Sequence, residues 1–325
     1  MAVLVTGASG HIGGNLIRAL LARGIRPRAL VRENRRALDG LDLDLVRGDV
    51  LDPESLRRAA AGTDVVYHLA GRISVVETDA AETWAVNVEG TRNVVAVCRE
   101  VGVKRLAHVS SIHALAPEPE DRPVNETRPL AEGPHTPQYD RSKAAGEREV
   151  LAGVGRGLDA VIINPTAVMG PHDYRPSAMG QVLLDLYHRR IPALVVGGFD
   201  WVDVRDVVEG AIAAAERGGR GERYLLSGHR ATLRELAVMA GEITGRKAPG
   251  LVIPMWLAQA SVPLAAVAAS LAGQSPRMTT ASLRALRAHR DIRHDKATRE
   301  LGYAPRPLHD TLADTYAWFR AERVL

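Results

Sequence analysis

The chain opens on a strand, a turn and a helix in immediate succession. Val3 to Val5 is a short apolar run. Gly7, Gly10 and Gly13 follow at even spacing, and Ile12, Leu16, Ala19 and Leu20 recur on one helical face. A strand passing through a glycine-rich turn into a helix gathers backbone N–H groups and the positive end of a helix dipole at one point. That is a phosphate site. The spacing is Gly-x-x-Gly-x-x-Gly rather than the commoner Gly-x-Gly-x-x-Gly. A purely structural β–α turn is the competing reading. The placement between strand and helix favours binding, with Ser9, His11 and Ile12 inside the site.

The first half of the chain continues the same alternation. Apolar runs at 2–5, 28–31, 43–47, 65–69, 105–110 and 160–164 read as strands, and 11–23, 53–61, 80–101 and 139–152 as helices between them. The strands are short and do not alternate cleanly, so both of their faces are buried. This predicts an α/β fold with a parallel sheet covered by helices, whose ligands bind at the carboxyl ends of the strands. After Asn164 the rhythm changes. Residues 165–194 read as a loop plus a helix at 178–190, while 201–216 and 223–227 read as a return to the sheet. From Thr232 the pattern is mostly helical. The expected division is a nucleotide-binding domain over 1–164, to which the chain returns at about 195–227. A smaller, mostly helical substrate domain is built from 165–194 and 228–325.

Composition removes several classes of function. Phe occurs only at 199 and 319, so Ala, Val, Leu and Ile must build the core. The net charge of +4 is scattered. Arg35-Arg36 and Arg57-Arg58 are short pairs without interleaved aromatics, which argues against nucleic-acid binding. Cys98 is the single cysteine, so no disulfide forms within the chain and a reducing cytoplasm is expected. Its place in a helical apolar pattern makes it a packing residue. The N-terminus runs straight into a strand, from which no signal peptide is expected. The histidines lack metal-ligand spacing and cysteine partners, so no metal site is expected. Residues 251–274 carry no charge and are long enough for a membrane span. Pro254 and Pro263 interrupt them, and much of the segment is Ala. They read as a helical wall of the second domain, which makes the substrate apolar if that wall lines the cleft. Contact with a membrane surface is the alternative.

The chemistry gathers at strand ends. The second strand ends at Val31-Arg32, where a dinucleotide presents its adenosine ribose. An acid there would accept from the 2′-hydroxyl and select NAD. Arg32, with Arg35 and Arg36 behind it, matches a phosphate instead and favours NADP(H) over NAD(H); solvated surface arginine is the competing reading. Asp49 and Val50 would lie beside the adenine, and Leu69, Ala70 and Gly71 bring small side chains to the cofactor. The fifth strand ends in Ser110-Ser111, and Tyr139-Asp-Arg-Ser-Lys143 follows downstream. Tyr and Lys four apart share a helix face. An ammonium beside a phenol favours phenolate and should lower the phenol's pKa from about 10. Ser111 is placed to hold a substrate oxygen. Arg72 and His113 are candidate substrate contacts.

These residues carry a resemblance. Thr6-Gly7-Ala8-Ser9-Gly10-His11-Ile12-Gly13, Asp49-Val50, His68-Leu69-Ala70-Gly71, Asn87-Val88-Glu89-Gly90-Thr91, Ser110-Ser111, Tyr139 to Lys143, Asn164-Pro165-Thr166, Gly170-Pro171 and Asp203 to Val207 resemble an extended short-chain dehydrogenase/reductase. The branch resembled is the NAD(P)-dependent epimerase/dehydratase and dihydroflavonol-reductase-like one. The resemblance implies a Rossmann doubly wound sheet. It implies Tyr139 as general acid/base, Lys143 on the nicotinamide ribose, Ser111 orienting the carbonyl and Asn87 in support. It brings Pro165 and Val168 near the nicotinamide, and it implies a homodimer through 80–101 and 139–152. Two positions depart from the pattern: His11 stands where an aromatic or apolar residue is usual, and Asn164 where many nucleotide-sugar enzymes carry Arg. The expected activity is NADP(H)-dependent reduction of a ketone or aldehyde, or oxidation of a secondary alcohol. The alternatives are a nucleotide-sugar epimerase or dehydratase, a hydroxysteroid-type dehydrogenase and a non-catalytic NADP-sensing protein.

Overall fold

The structure is a computed structural model describing residues 1–73, 79–271, 279–288 and 291–325, without the side chains of 264–271. Twelve strands are named in chain order: β1 (Val3–Thr6), β2 (Arg28–Val31), β3 (Asp44–Arg47), β4 (Val65–His68), β5 (Arg105–Val109), β6 (Ala160–Pro165), β7 (Ala167–Met169), β8 (Ala193–Val195), β9 (Gly198–Asp203), β10 (Arg223–Leu226), β11 (His229–Thr232) and β12 (Leu251–Ile253). The helices are α1 (His11–Ala22), α2 (Pro53–Ala60), α3 (Ala80–Trp84), α4 (Gly90–Glu100), α5 (Gln138–Gly155), α6 (Ala178–Tyr187), α7 (Val204–Arg217), α8 (Leu233–Thr244), α9 (Met255–Leu271), α10 (Thr280–Ala285), α11 (Asp295–Leu301) and α12 (Leu308–Ala321).

Seven strands form a parallel sheet in the order β10-β6-β5-β4-β1-β2-β3. It is the Rossmann sheet expected from the alternation. The inner strands β1, β4, β5 and β6 are buried along their whole length, which explains their continuous apolar runs. The edge strand β3 is largely exposed. One face packs Val3, Val5, Tyr67, Ala107 and Ile163 with Leu16 and Leu20 of α1 and Val207 and Ala211 of α7. The other packs Leu4, Val66, Leu106 and Ile162 with Leu56 of α2, Val94 of α4 and Val150 of α5. Cys98 belongs to this second core, and burial pushes its thiol up to about 12. Strand order reverses between β1 and β4, so the ends of these two strands flank the ligand crevice.

The chain re-enters this sheet only at β10. Residues 201–216 read as part of the return, but β9, which holds their first three residues, lies in a second, three-stranded sheet between β7 and β11. Trp201 explains the choice: its indole is 1% exposed and donates to the Ala231 carbonyl of β11 at 3.0 Å. Residues 167–169, expected as loop, form β7 on the other side of β9. Met169, Leu183, Trp201, Leu236, Leu312 and Phe319 make a separate core there. The segment expected as one helix over 80–101 is helical throughout 80–100, with a π-turn inside it. Residues Ala85–Glu89 form a π-turn between α3 and α4.

In the uncharged 251–274 stretch, β12 pairs with β8 and α9 follows; residues 272–274 lie outside the described residues. Trp256 and Leu257 on α9 are exposed. Among the described residues no helix is long and apolar enough to cross a membrane.

Candidate active site

The glycine turn follows β1 directly. Gly7 sits at φ +69°, and a Cβ there would stand 2.5 Å from the Ala70 nitrogen. A Cβ on Gly13 would overlap the Gly7 carbonyl oxygen and come within 2.8 Å of the Ala8 Cα. The turn therefore closes only with glycine, and it locks against Leu69-Ala70 after β4. Gly10 caps α1 without any side chain, and its N–H goes to the Gly7 carbonyl at 3.0 Å. The first-turn N–H groups of α1 face outward beside Ser9, His11 and Ile12. This cradle suits an anion.

Arg32 follows β2 with an exposed side chain 3.8 Å from the Asp49 carboxylate. Arg35 and Arg36 are exposed around a short 3-10 turn, Arg36–Leu38. Asp49 accepts from the Leu51 N–H at 2.9 Å, and Val50 is buried behind it.

At the β5 end, Ser111 is 8% exposed and accepts the His113 N–H at 3.2 Å. The Tyr139 ring lies on the facing end of α5, 5.6 Å from the ring of His113. Lys143 lies one helical turn beyond Tyr139 on α5, 7% exposed, with Nζ 3.4 Å from the Val109 carbonyl. Burial pushes the Tyr139 phenol up to about 12, against the Ser111 hydrogen bond. It also pulls Lys143 down to about 8, which Glu147 opposes. The lowered phenol pKa expected from an adjacent ammonium is thus not found in this structure: desolvation raises it, and the Asp140 carboxylate adds to the rise.

Asn87 lies in the π-turn and is 3% exposed. Its Oδ1 accepts the Arg72 N–H at 2.8 Å, while Nδ2 donates to the Arg72 carbonyl at 3.0 Å and to Ser142 Oγ at 2.9 Å. It fixes the chain just past Gly71 to the helix that carries Tyr139 and Lys143. The Arg72 guanidinium turns to Asp79 at 3.2 Å and Glu82 at 3.0 Å. His113 holds Nδ1 3.2 Å from Asp140, and its ring lies 5.6 Å from the Tyr139 ring. Pro165 ends β6 buried, and Val168 is half-buried in β7.

Sequence reasoning names His68 within a matching motif but gives it no role. His68 is fully buried at the end of β4 and accepts from Thr6 Oγ1 through Nδ1 at 2.7 Å. Thr91 Oγ1 donates to the Asn87 carbonyl at 2.7 Å, so it accepts from His68 Nε2 at 3.0 Å. The ring is thereby fixed as the neutral Nε2–H tautomer, and burial takes its pKa down to about 3. A histidine closing an apolar strand was the only available signal. Among the described residues no group of His, Cys, Asp and Glu could hold a metal.

A glycine cradle at the switch point, with serine, tyrosine and lysine converging on the next strand ends, defines an enzyme of the nicotinamide-dependent Rossmann class. Comparison with known proteins makes the class specific. Residues 3–227 match the NAD dependent epimerase/dehydratase family, so the chain belongs to that family, within the extended short-chain dehydrogenases/reductases. It is 39% identical to sterol demethylase protein B of Methylococcus capsulatus, covering 98% of both chains. It is 35% identical to the 4-hydroxy-2-methyl-3-oxo-4-farnesyl-3,4-dihydroquinoline-1-oxide ketoreductase of Stigmatella aurantiaca, covering 95% of this chain and 93% of that protein. Among solved structures, a nucleoside-diphosphate-sugar epimerase from Pseudomonas aeruginosa aligns with a TM-score of 0.80 at 26% identity, covering 99% and 98% of the two chains.

Proposed function

We propose that this protein is an NADP(H)-dependent oxidoreductase acting on an apolar ketone, aldehyde or secondary alcohol. The observation that carries this reading is α5 set against the β5 end, with the Tyr139 ring 5.6 Å from that of His113, two residues past Ser111, and the buried Lys143 holding Nζ 3.4 Å from the Val109 carbonyl. The ketoreductase relative supports the reaction, and the sterol-named and farnesylated-quinoline relatives support an apolar substrate. The 2′-phosphate preference rests on Arg32 and Arg35 standing exposed where the adenosine ribose arrives.

The cradle of Gly7, Gly10 and Gly13 would hold the pyrophosphate and Lys143 the nicotinamide ribose. The bound dinucleotide supplies or accepts a hydride. Ser111 holds the carbonyl oxygen, and Tyr139 gives it a proton during reduction or takes one during oxidation. Tyr139 is protonated at neutral pH and can donate, while its raised pKa opposes that donation until a charged group stabilises the phenolate. The Lys143 charge stabilises the phenolate left behind. Asn87 keeps Gly71 and α5 in register.

A second reading, a nucleotide-sugar epimerase or dehydratase, has the Pseudomonas aeruginosa structure in its favour. It returns the hydride to its substrate, so NADPH absorbance separates the two. Net NADPH loss with an apolar carbonyl supports the reductase; turnover without net cofactor change supports the epimerase. A substrate domain over 165–194 and 228–325, a homodimer through 80–101 and 139–152, and a cytoplasmic location complete the proposal. Sedimentation of the full chain tests the dimer.

A further inference from the structure

His11 departs from the apolar pattern of its position, and its side chain explains why. His11, Asn15 and Arg18 lie at i, i+4 and i+7, a single stripe on α1. All three address the segment after β7. His11 Nε2 donates to the Pro171 carbonyl at 3.0 Å. Asn15, 5% exposed, donates to the same carbonyl at 3.0 Å and to the His11 carbonyl at 2.9 Å. Arg18 reaches the Tyr174 hydroxyl at 3.1 Å and lies 5.4 Å from the centre of its ring. Its other nitrogen donates to the carbonyls of Gly14 and Ala37, both at 2.9 Å.

Two things follow from this wiring. Buried polar side chains cost free energy unless satisfied, and apolar residues would have sufficed merely to exclude water. Directional bonds instead fix where Pro171 and Tyr174 stand. Asp173 carries that placement onward: its carboxylate accepts the Ser177 N–H at 2.8 Å, and Ser177 caps α6. On the other side, the stripe begins in the glycine cradle, and Ala37 belongs to the loop that carries Arg32 and Arg35. The two elements offered to the adenosine half of a dinucleotide are therefore both bonded to the segment leading into α6.

We propose that His11, Asn15 and Arg18 are positioning residues that link dinucleotide occupancy to the placement of residues 171–177. The link rests on the dinucleotide reading of the cradle and concerns the substrate side of the same cleft. Hydrogen exchange of the full chain tests it, with NADP+ and NAD+ each titrated directly in parallel. Saturation should slow exchange in 171–177 by about tenfold in the wild type. Asn15→Leu removes the amide bonds, and Tyr174→Phe removes only the hydroxyl Arg18 reaches, so the latter spares the ring packing. Each variant should bind dinucleotide within about threefold of wild type yet lose most of that slowing. Dinucleotide binding without slowing in the wild type, or full slowing in Tyr174→Phe, overturns the link and leaves the cofactor reading standing. No binding of either dinucleotide overturns both.

Discussion

Asn164 donates through Nδ2 to Glu147 at 2.6 Å and to the Ser111 carbonyl at 2.8 Å. Glu147 is fully buried on the α5 face that carries Tyr139 and Lys143, and its other oxygen accepts from Arg223 of β10 at 2.7 and 3.0 Å. The departure at Asn164 therefore has a structural use. It joins the strand end carrying Ser111 to the helix carrying Tyr139.

Glu147→Ala leaves Arg223 without its buried partner and Asn164 without its acceptor. The expected cost is about 3–5 kcal/mol, the usual penalty for orphaning one member of a buried pair. Urea unfolding measures it. Glu147→Gln should lose less, because the amide oxygen still accepts. A Glu147→Ala protein as stable as wild type would contradict the network.

Lys143 gives a pH prediction. Its folded pKa is about 8 and its ordinary value 10.5. Between these the unfolded chain keeps the proton that the folded chain has lost, so stability rises with pH across that window. Below about pH 8 both states hold the proton and the full cost of burying the ammonium is present. Lys143→Met should thus be more stable than wild type at pH 7, by on the order of 1–3 kcal/mol, with the advantage gone by about pH 10.5. Turnover should be lost in the same variant. Thermal melts at several pH values check the first claim, and a variant less stable than wild type at pH 7 would refute it.

Arg32 tests the cofactor choice. Arg32→Ala should weaken NADPH by about tenfold or more and leave NADH within about twofold, since only the former offers a 2′-phosphate to a guanidinium. Fluorescence titration of both cofactors reads the difference. Equal weakening of the two would remove the basis for NADP selection.

Much of this was legible in the sequence because it is local. Strands β1 to β6 announce themselves as apolar runs, the glycine turn lies within a few residues of β1, and Tyr139 and Lys143 share a helix face by spacing alone. What was not legible depends on distant partners. The tautomer of His68 is set by Thr6 and Thr91, which no periodicity connects to it. The sheet chosen by β9 is decided by where the Trp201 indole finds a carbonyl. The π-turn at Asn87 reflects bonds to Arg72 and Ser142 across the fold. The direction of the Tyr139 shift was misjudged for a similar reason. Spacing shows the neighbouring ammonium, but the desolvation that raises the phenol pKa comes from the whole fold.

The most direct test of the central claim is NADPH consumption by wild type and Tyr139→Phe over a panel of apolar ketones and aldehydes, with NADPH affinity measured on the same samples. The wild type should form one alcohol per NADPH consumed. Tyr139→Phe should be slower by about 10²–10⁴-fold, the usual worth of a positioned acid, while binding NADPH nearly as tightly. Wild-type rates in Tyr139→Phe, or turnover with no net loss of NADPH, would contradict the account.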